Sequence, residues 1–301
     1  GSSGGRTSVA SRALVTGGTA GLGFETVRGL LEKGWEVEFT GTTRERGESA
    51  LRDFRSLGLA GRARAHVLDL ESRSSREAFS ASLLGEGRQF DLMVNNAGVL
   101  LPRLERTAEG LEKHFQVNYL GHFHLNALLY PLLSPQGRIL HLGSLSHHKA
   151  VLRLEDLGFQ ETPYSRMAAY GQSKLALTLY GQALARRLSG TEQRSIVTHP
   201  GVCNTRIVSR YLPGPLGRVL DPAAWFLGIT KAPEGARHLL HGALEDLPSG
   251  AYVGPSGGRE WKGEPGFCRL SPHARDQELG EALWRKSEAL LGITFPLSPV
   301  R

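Results

Sequence analysis

The chain predicts an α/β protein built on a doubly wound parallel sheet of about seven strands, with helices on both faces. Three observations carry this. Short apolar runs alternate with longer amphipathic segments from Ala13 to about Ile196, a glycine-rich turn joins the first run to the first amphipathic segment, and no repeat or low-complexity linker interrupts the order. Right-handed crossovers would then open a binding crevice at the carboxyl ends of the strands.

The predicted strands are Ala13–Thr16, Glu36–Phe39, Ala65–Leu68, Leu92–Asn95, Arg138–Leu142 and Ser195–Thr198, with a seventh at Ala251–Gly254. Between them, Phe24–Lys33, Ser75–Leu84, Leu111–Leu133 and Ala168–Leu188 carry apolar residues at helical spacing. In the first helix Phe24, Val27, Leu30 and Leu31 form one stripe, and Gly34 ends it. Arg44, Arg46, Arg52 and Arg55 sit among Glu45, Glu48 and Asp53, as on a solvated helix face. Residues 203–235, with Pro213, Pro215 and Pro222 among apolar residues, read as an apolar excursion, and a last helix is predicted from Ser271-Pro272 to Gly292. The organisation expected is one domain over residues 11–292, with 1–10 a disordered segment or cloning remnant and 293–301 a tail.

Length and composition agree with a packed globular domain: 301 residues, 40% apolar and 22% charged. No apolar run approaches the roughly 20 residues of a membrane span. Two cysteines, Cys203 and Cys268, form no disulfide framework or metal cluster, which predicts a reducing, cytoplasmic setting. The net charge of +7 is scattered among acids with no dense basic block, so nucleic acid is not an expected partner. Positive potential is better spent on a multiply anionic cofactor. The histidines His122, His124, His141, His147 and His148 lack ligand spacing, so no metal is expected.

Thr16-Gly17-Gly18-Thr19-Ala20-Gly21-Leu22-Gly23 follows a strand and opens a helix. Glycines let the backbone approach a pyrophosphate, and the helix N-terminus offers unsatisfied N–H groups. Gly23-Phe24-Glu25 lacks the Gly-Lys-Ser/Thr that a Walker-type loop requires. A tight turn without a ligand is the plainer alternative. After the second strand, Gly41-Thr42-Thr43-Arg44 has no carboxylate to accept from a ribose 2′-hydroxyl and repel a 2′-phosphate. Thr19, Thr42 and Arg44 could instead hydrogen-bond and neutralise such a phosphate, favouring NADP(H) over NAD(H).

Tyr170 and Lys174 stand four residues apart on a predicted helix, and so project from one face. A phenol of pKa near 10 is poorly matched to neutral pH, and an ammonium one turn away favours its phenolate. Alone the pair is weak; it follows the glycine turn, Asn95-Asn96-Ala97-Gly98, Asn118 and Ser144 in that order. In this order the chain resembles the short-chain dehydrogenase/reductase family over roughly residues 10–292, which implies a Rossmann-type fold and an NAD(P)-dependent oxidoreductase.

The resemblance implies Tyr170 as general acid/base, Lys174 as the group that lowers its pKa and holds the nicotinamide ribose, Ser144 on the substrate oxygen, and Asn118 as a helix-kinking residue anchoring a water. It implies cofactor contacts from Gly17, Thr19, Gly21, Leu22 and Gly23, from Thr42 and Arg44, and from Asp69 and Leu70 at the adenine. Asn96, Ala97 and Gly98 fall near the adenine ribose, and Pro200, Gly201, Val202 and Thr205 near the nicotinamide. Many relatives carry Arg at the Thr42 position, so the phosphate clamp here is displaced. Asp69 has a plainer role as a helix N-cap, and Ser146 is the rival to Ser144.

Ser144 and Tyr170 lie 26 positions apart, roughly double the usual family spacing. This spacing and Ser144-Leu-Ser-His-His148 resemble the retinol dehydrogenase-like and carbonyl reductase-like branches, and the C-terminal Gly250-Ala-Tyr-Val-Gly254 and Ala282–Gly292 fit the retinol dehydrogenase-like branch better, as a soluble member. The implied substrate is a lipophilic aldehyde, ketone, retinoid or steroid-like alcohol. The insert Lys149–Arg166 would cover the face classical members use for tetramers, predicting a monomer or dimer. Other readings are a non-catalytic NADP-binding sensor and a narrow-specificity biosynthetic reductase.

Overall fold

The computed structural model describes residues 9–203, 229, 230 and 232–297. Its strands are β1 (Arg12–Val15), β2 (Glu36–Gly41), β3 (Ala63–Val67), β4 (Phe90–Asn95), β5 (Leu133–Leu142), β6 (Arg194–Thr198), β7 (Val202–Cys203), β8 (Ile229–Thr230), β9 (Tyr252–Gly257) and β10 (Lys262–Phe267). Its helices are α1 (Gly21–Glu32), α2 (Arg44–Ser56), α3 (Arg73–Glu86), α4 (Gly121–Leu129), α5 (Arg166–Arg187), α6 (Ala232–Leu244) and α7 (Gln277–Leu291). Eight strands form one sheet in the order β10-β9-β6-β5-β4-β1-β2-β3, parallel throughout except for β9 against β10. β1 pairs with both β2 and β4, so the strand order reverses beside its carboxyl end, where an open α/β sheet holds its ligand.

The central strands β1, β2, β4 and β6 are buried on both faces because helices cover both. One apolar layer joins Val27, Leu30, Phe39, Phe54, Val94, Leu140 and Leu239. The other joins Phe115, Tyr119, Phe123, Tyr180, Trp284 and Phe295. Phe24 of α1 stacks on Phe54 of α2 with centroids 4.5 Å apart, and Gly29 of α1 lies against Leu240 of α6. Among the described residues no helix is long and apolar enough to cross a membrane.

Several elements depart from expectation. The eighth strand, β10, is an antiparallel edge with little apolar alternation. The segment expected as one helix over 111–133 is a π-helical stretch at Phe115–Leu120 running into α4, and Leu133 already belongs to β5. After α4 the chain tightens into a 3₁₀ turn over Tyr130–Leu132, with Pro131 in its first positions, and becomes extended at Leu133. The last helix starts at Gln277, capped by Asp276, while Ser271 caps a separate 3₁₀ turn. Most of the expected apolar excursion at 203–235 lies outside the described residues, although its end opens α6.

The long insert is tied down by polar bonds. Arg106 donates to the carbonyls of Gly158 and Phe159, the Glu112 N–H donates to Leu157 O, and the Arg153 N–H donates to Gln172 of α5. Leu152, Leu157 and Phe159 are buried, whereas Val151 is exposed.

Candidate active site

The turn after β1 is shaped by contacts that admit no side chain. A Cβ on Gly23 would lie 2.0 Å from the Gly17 carbonyl oxygen, and Gly17 itself sits at φ +67°. The Gly17 and Gly18 N–H groups donate to the Thr40 hydroxyl and carbonyl, fastening the turn to β2. α1 then begins at Gly21 with no side-chain cap and no acid in its first turn. By contrast α2, α3, α5 and α7 are capped by Thr43, Ser72, Ser165 and Asp276. An uncapped N-terminus beside Gly21, Leu22 and Gly23 suits an anion such as a pyrophosphate, so these residues fit a dinucleotide.

The expected adenosine-side residues gather at the same crevice. Asn96 donates through Nδ2 to the carbonyls of Thr16 and Gly17, and the N–H groups of Asn96 and Ala97 donate to the Thr16 hydroxyl. Gly98 lies against Asn118. Thr19 packs on Gly41, beside Thr42, and Arg44 pairs with Glu48 at 2.9 Å on the open surface. Asp69 is not the N-cap of α3; Ser72 holds that place because its hydroxyl accepts from Ser75, while Asp69 accepts from Glu71 N–H. Leu70 is buried, and its carbonyl accepts from Arg76.

A buried histidine links this turn to the middle of the site. His122 Nδ1 lies 3.1 Å from the Asn118 carbonyl and Nε2 lies 2.8 Å from the Thr16 hydroxyl. The carbonyl can only accept, so the partners assign the proton to Nδ1, and the Thr16 hydroxyl donates to Nε2. Burial lowers the His122 pKa to about 4, keeping it neutral. Asn118 sits in the π-helical stretch; its Oδ1 accepts from Val99 N–H, and its Nδ2 donates to Val99 O and Ser173 Oγ. Ser173 in turn donates to the Tyr170 carbonyl, so Asn118 braces the helix that carries Tyr170. No role for His122 or Ser173 is evident in sequence, although His122 follows Asn118 by one helical turn.

Tyr170 is half-buried with its ring edge-on to His114, 6.1 Å between centroids. The Lys174 Nζ lies 5.9 Å from the centre of the Tyr170 ring and donates to the Leu142 carbonyl at 2.9 Å. Lys174 is 3% exposed, and burial lowers its pKa to about 8. Ser144, just past β5, accepts from the Ser146 N–H and the Ser146 hydroxyl, the latter at 2.9 Å. The Ser146 proton is thereby spent on Ser144, while the Ser144 O–H is left to donate elsewhere.

The turn after β6 is held from the far side. The Gly201 N–H donates to His199 Nδ1, and the Val202 N–H donates to the Trp261 carbonyl. Thr205 lies outside the described residues. Beside Pro200 to Val202 opens a cavity of about 930 Å³, walled by Leu145, Ser146, Met167, Ala168, Val202 and Trp261 among others. His199, Glu260 and Cys268 bring their donor atoms within 4.8 Å of one another, a grouping not visible in sequence. Because His199 Nδ1 accepts the Gly201 N–H, its proton sits on Nε2, which then offers no lone pair to a metal. Burial and the Glu260 carboxylate also raise the Cys268 thiol to about 12.

Comparison with known proteins agrees with this architecture. The family model for short chain dehydrogenase matches residues 11–214. Human retinol dehydrogenase 12 is 36% identical over 94% of this chain and 86% of its own length. Mouse polyprenol dehydrogenase is 37% identical over 93% of this chain and 83% of its own. An uncharacterised protein from Mycobacterium paratuberculosis, solved as a crystal structure, superposes with a TM-score of 0.78 at 32% identity, covering 96% and 98% of the two chains. The chain belongs to the short-chain dehydrogenase/reductase family, in its retinol dehydrogenase-like branch, and is an NAD(P)-dependent oxidoreductase.

Proposed function

We propose that this chain is an NADP(H)-dependent enzyme that interconverts a carbonyl and an alcohol on a lipophilic substrate, with Tyr170 as its proton donor and acceptor. The observation that carries this reading is the buried Lys174 ammonium, 5.9 Å from the Tyr170 ring centre on the same helix. In so dry a place a positive charge lowers the cost of the Tyr170 phenolate far more than it would in water. A nicotinamide cofactor, when bound, supplies or accepts the hydride.

The remaining work belongs to the chain. The Ser144 O–H, not engaged by the Ser146 contacts, donates to the substrate oxygen; Tyr170 gives that oxygen a proton during reduction and takes it back during oxidation. Lys174 also binds the nicotinamide ribose. The uncapped end of α1 takes the pyrophosphate, and Pro200, Gly201 and Val202, with Thr205, flank the nicotinamide.

The preference for NADP(H) rests on the residues just after β2. Thr42-Thr43-Arg44 presents no carboxylate to a 2′-phosphate. The exposed Arg44–Glu48 pair is worth only about 0.2–1 kcal/mol, so Arg44 can leave it for a phosphate, with Thr19 and Thr42 alongside. The insert at 149–166, anchored through buried Leu152, Leu157 and Phe159, supports a monomer or dimer, and a sedimentation mass of four chains would rule this out.

The test is oxidation of NADPH and NADH against a panel of apolar aldehydes and ketones, with Tyr170→Phe in parallel. NADPH-preferring turnover that falls by roughly 10³-fold or more in the variant is expected. Tight NADPH binding without turnover on any substrate, or equal rates in the variant, would overturn the assignment.

A further inference from the structure

We infer that the substrate carries a carboxylate at the end remote from its carbonyl, received by Lys149, Arg259 and Arg269 at the mouth of the cavity beside the active site. This rests on the functional reading above and names its substrate class more closely.

The cavity lining falls into two chemically distinct groups. One comes from Leu145 and Ser146, directly after Ser144, and from Met167 and Ala168, three and two residues before Tyr170. The lining is predominantly apolar, with Met167 and Trp261 presenting exposed surface. The other group is His148, Lys149, Arg259, Glu260 and Arg269, of which the three cations are exposed and so stand where the cavity meets solvent. The side-chain nitrogens of Lys149, Arg259 and Arg269 have no carboxylate within 4.0 Å among the described residues. The one acid in the lining is occupied: Glu260 Oε1 accepts from the Arg269 backbone N–H at 2.8 Å, and Oε2 stands 3.7 Å from His199 Nε2. Three cations against one engaged carboxylate leave the mouth positively charged.

The backbone adds a separate observation. Gly258, Arg259 and Glu260 take φ values of +46°, +58° and +62° in succession. For Arg259 and Glu260 this costs about 1–2 kcal/mol each, and a run of such residues persists where the surroundings fix a functional geometry. Here the run sets the Arg259 guanidinium 6.0 Å from the Trp261 ring centre on the cavity wall, and turns Glu260 toward His199. The planar guanidinium matches a carboxylate, and the Trp261 face and Met167 suit the apolar body between the two ends.

The test separates binding from turnover. Dodecanoate and dodecanamide are titrated calorimetrically into the protein at low and high salt, and then 12-oxododecanoate is compared with its methyl ester as a substrate for NADPH oxidation. Dodecanoate is expected to bind about tenfold or more tightly than the amide at low salt, with the advantage shrinking at high salt. In Arg259→Gln/Arg269→Gln the acid-to-amide and acid-to-ester ratios are expected to fall to about one. Equal binding of acid and amide by the parent protein would overturn the inference, even if both aldehydes turn over and the redox reading stands. A salt-sensitive preference for dodecanoate with no turnover of either aldehyde would support the anion site while sinking the proposed reaction. The parent's ratios and their salt dependence decide the question even if the double variant does not fold.

Discussion

The imidazole of His122 stands 2.8 Å from the hydroxyl of Thr16, a residue 106 positions earlier, and bridges the glycine turn to the carbonyl of Asn118. The Thr16 oxygen accepts from the Asn96 and Ala97 N–H groups, and its own proton goes to this ring, the nearer of two acceptors beside the Val94 carbonyl at 3.3 Å. The crevice that would hold the dinucleotide and the helix that braces Tyr170 are thus set by one neutral histidine. Replacing it with Phe removes the nearer of two acceptors of the buried Thr16 proton, leaving the Val94 carbonyl at 3.3 Å, at a cost of about 1–3 kcal/mol. His122→Phe is expected to weaken NADPH binding by about tenfold and lower Tm by several degrees, as read by cofactor fluorescence and thermal melts. Unchanged cofactor affinity would show that the bridge does not shape the crevice.

Gly23 gives a sharper case. A single methyl there meets the Gly17 carbonyl oxygen at 2.0 Å and Asn96 Nδ2 at 2.5 Å, both inside contact distance. The backbone oxygen cannot swing aside as a side chain could. Gly23→Ala should therefore destabilise by about 3 kcal/mol or more and abolish detectable NADPH binding. Urea unfolding and a cofactor titration check both halves. A variant that binds NADPH normally would mean that the turn is looser than these contacts imply.

These two positions mark what the sequence could and could not disclose. Gly23, Tyr170 and Lys174 are legible because their meaning is local: a glycine between strand and helix, or two side chains one turn apart. His122 is opaque because its partner arrives from another strand, and a histidine among apolar residues resembles core. The strand β10 is hidden for a different reason. Lys262-Gly-Glu-Pro-Gly-Phe267 has two glycines and a proline, and its Phe267 is 67% exposed, so it pairs as an edge without a buried face. α6 has its stripe at Ala236, Leu239 and Ala243 diluted by Gly235 and Gly242, and Gly242 packs against Leu140 of β5 instead of signalling helix.

The buried histidines predict marked acid sensitivity. His122, His124, His141, His147, His199 and His238, six in all, are at most 3% exposed, and burial first of all depresses each to about 3 or 4. Below pH 6.5 the unfolded chain takes up protons that the folded one refuses, so stability is full above that pH and lost as pH falls toward 4. Each group withdraws up to about 1.4 kcal/mol per pH unit, so together they rival a total stability of about 5–15 kcal/mol. Thermal melts at pH 7.5, 6.5 and 5.5 should show a steep drop over the last step. A flat Tm down to pH 5.5 would contradict the account.

Lys174 predicts a further rise of stability with pH at the alkaline end. Burial lowers its pKa from the ordinary 10.5 to about 8. Below pH 8 both states hold the proton, and its contribution is constant. Between 8 and 10.5 the folded protein has released a proton that the unfolded chain keeps, so unfolding takes one up and stability rises with pH. The slope from this group approaches about 1.4 kcal/mol per pH unit. Lys174→Met removes the titration, so urea unfolding of parent and variant at pH 7 and pH 9.5 isolates it. The difference between them should move in the parent's favour by about 1–2 kcal/mol over that interval. If it stays constant, Lys174 keeps an ordinary pKa, and the dry environment invoked to stabilise the Tyr170 phenolate fails with it.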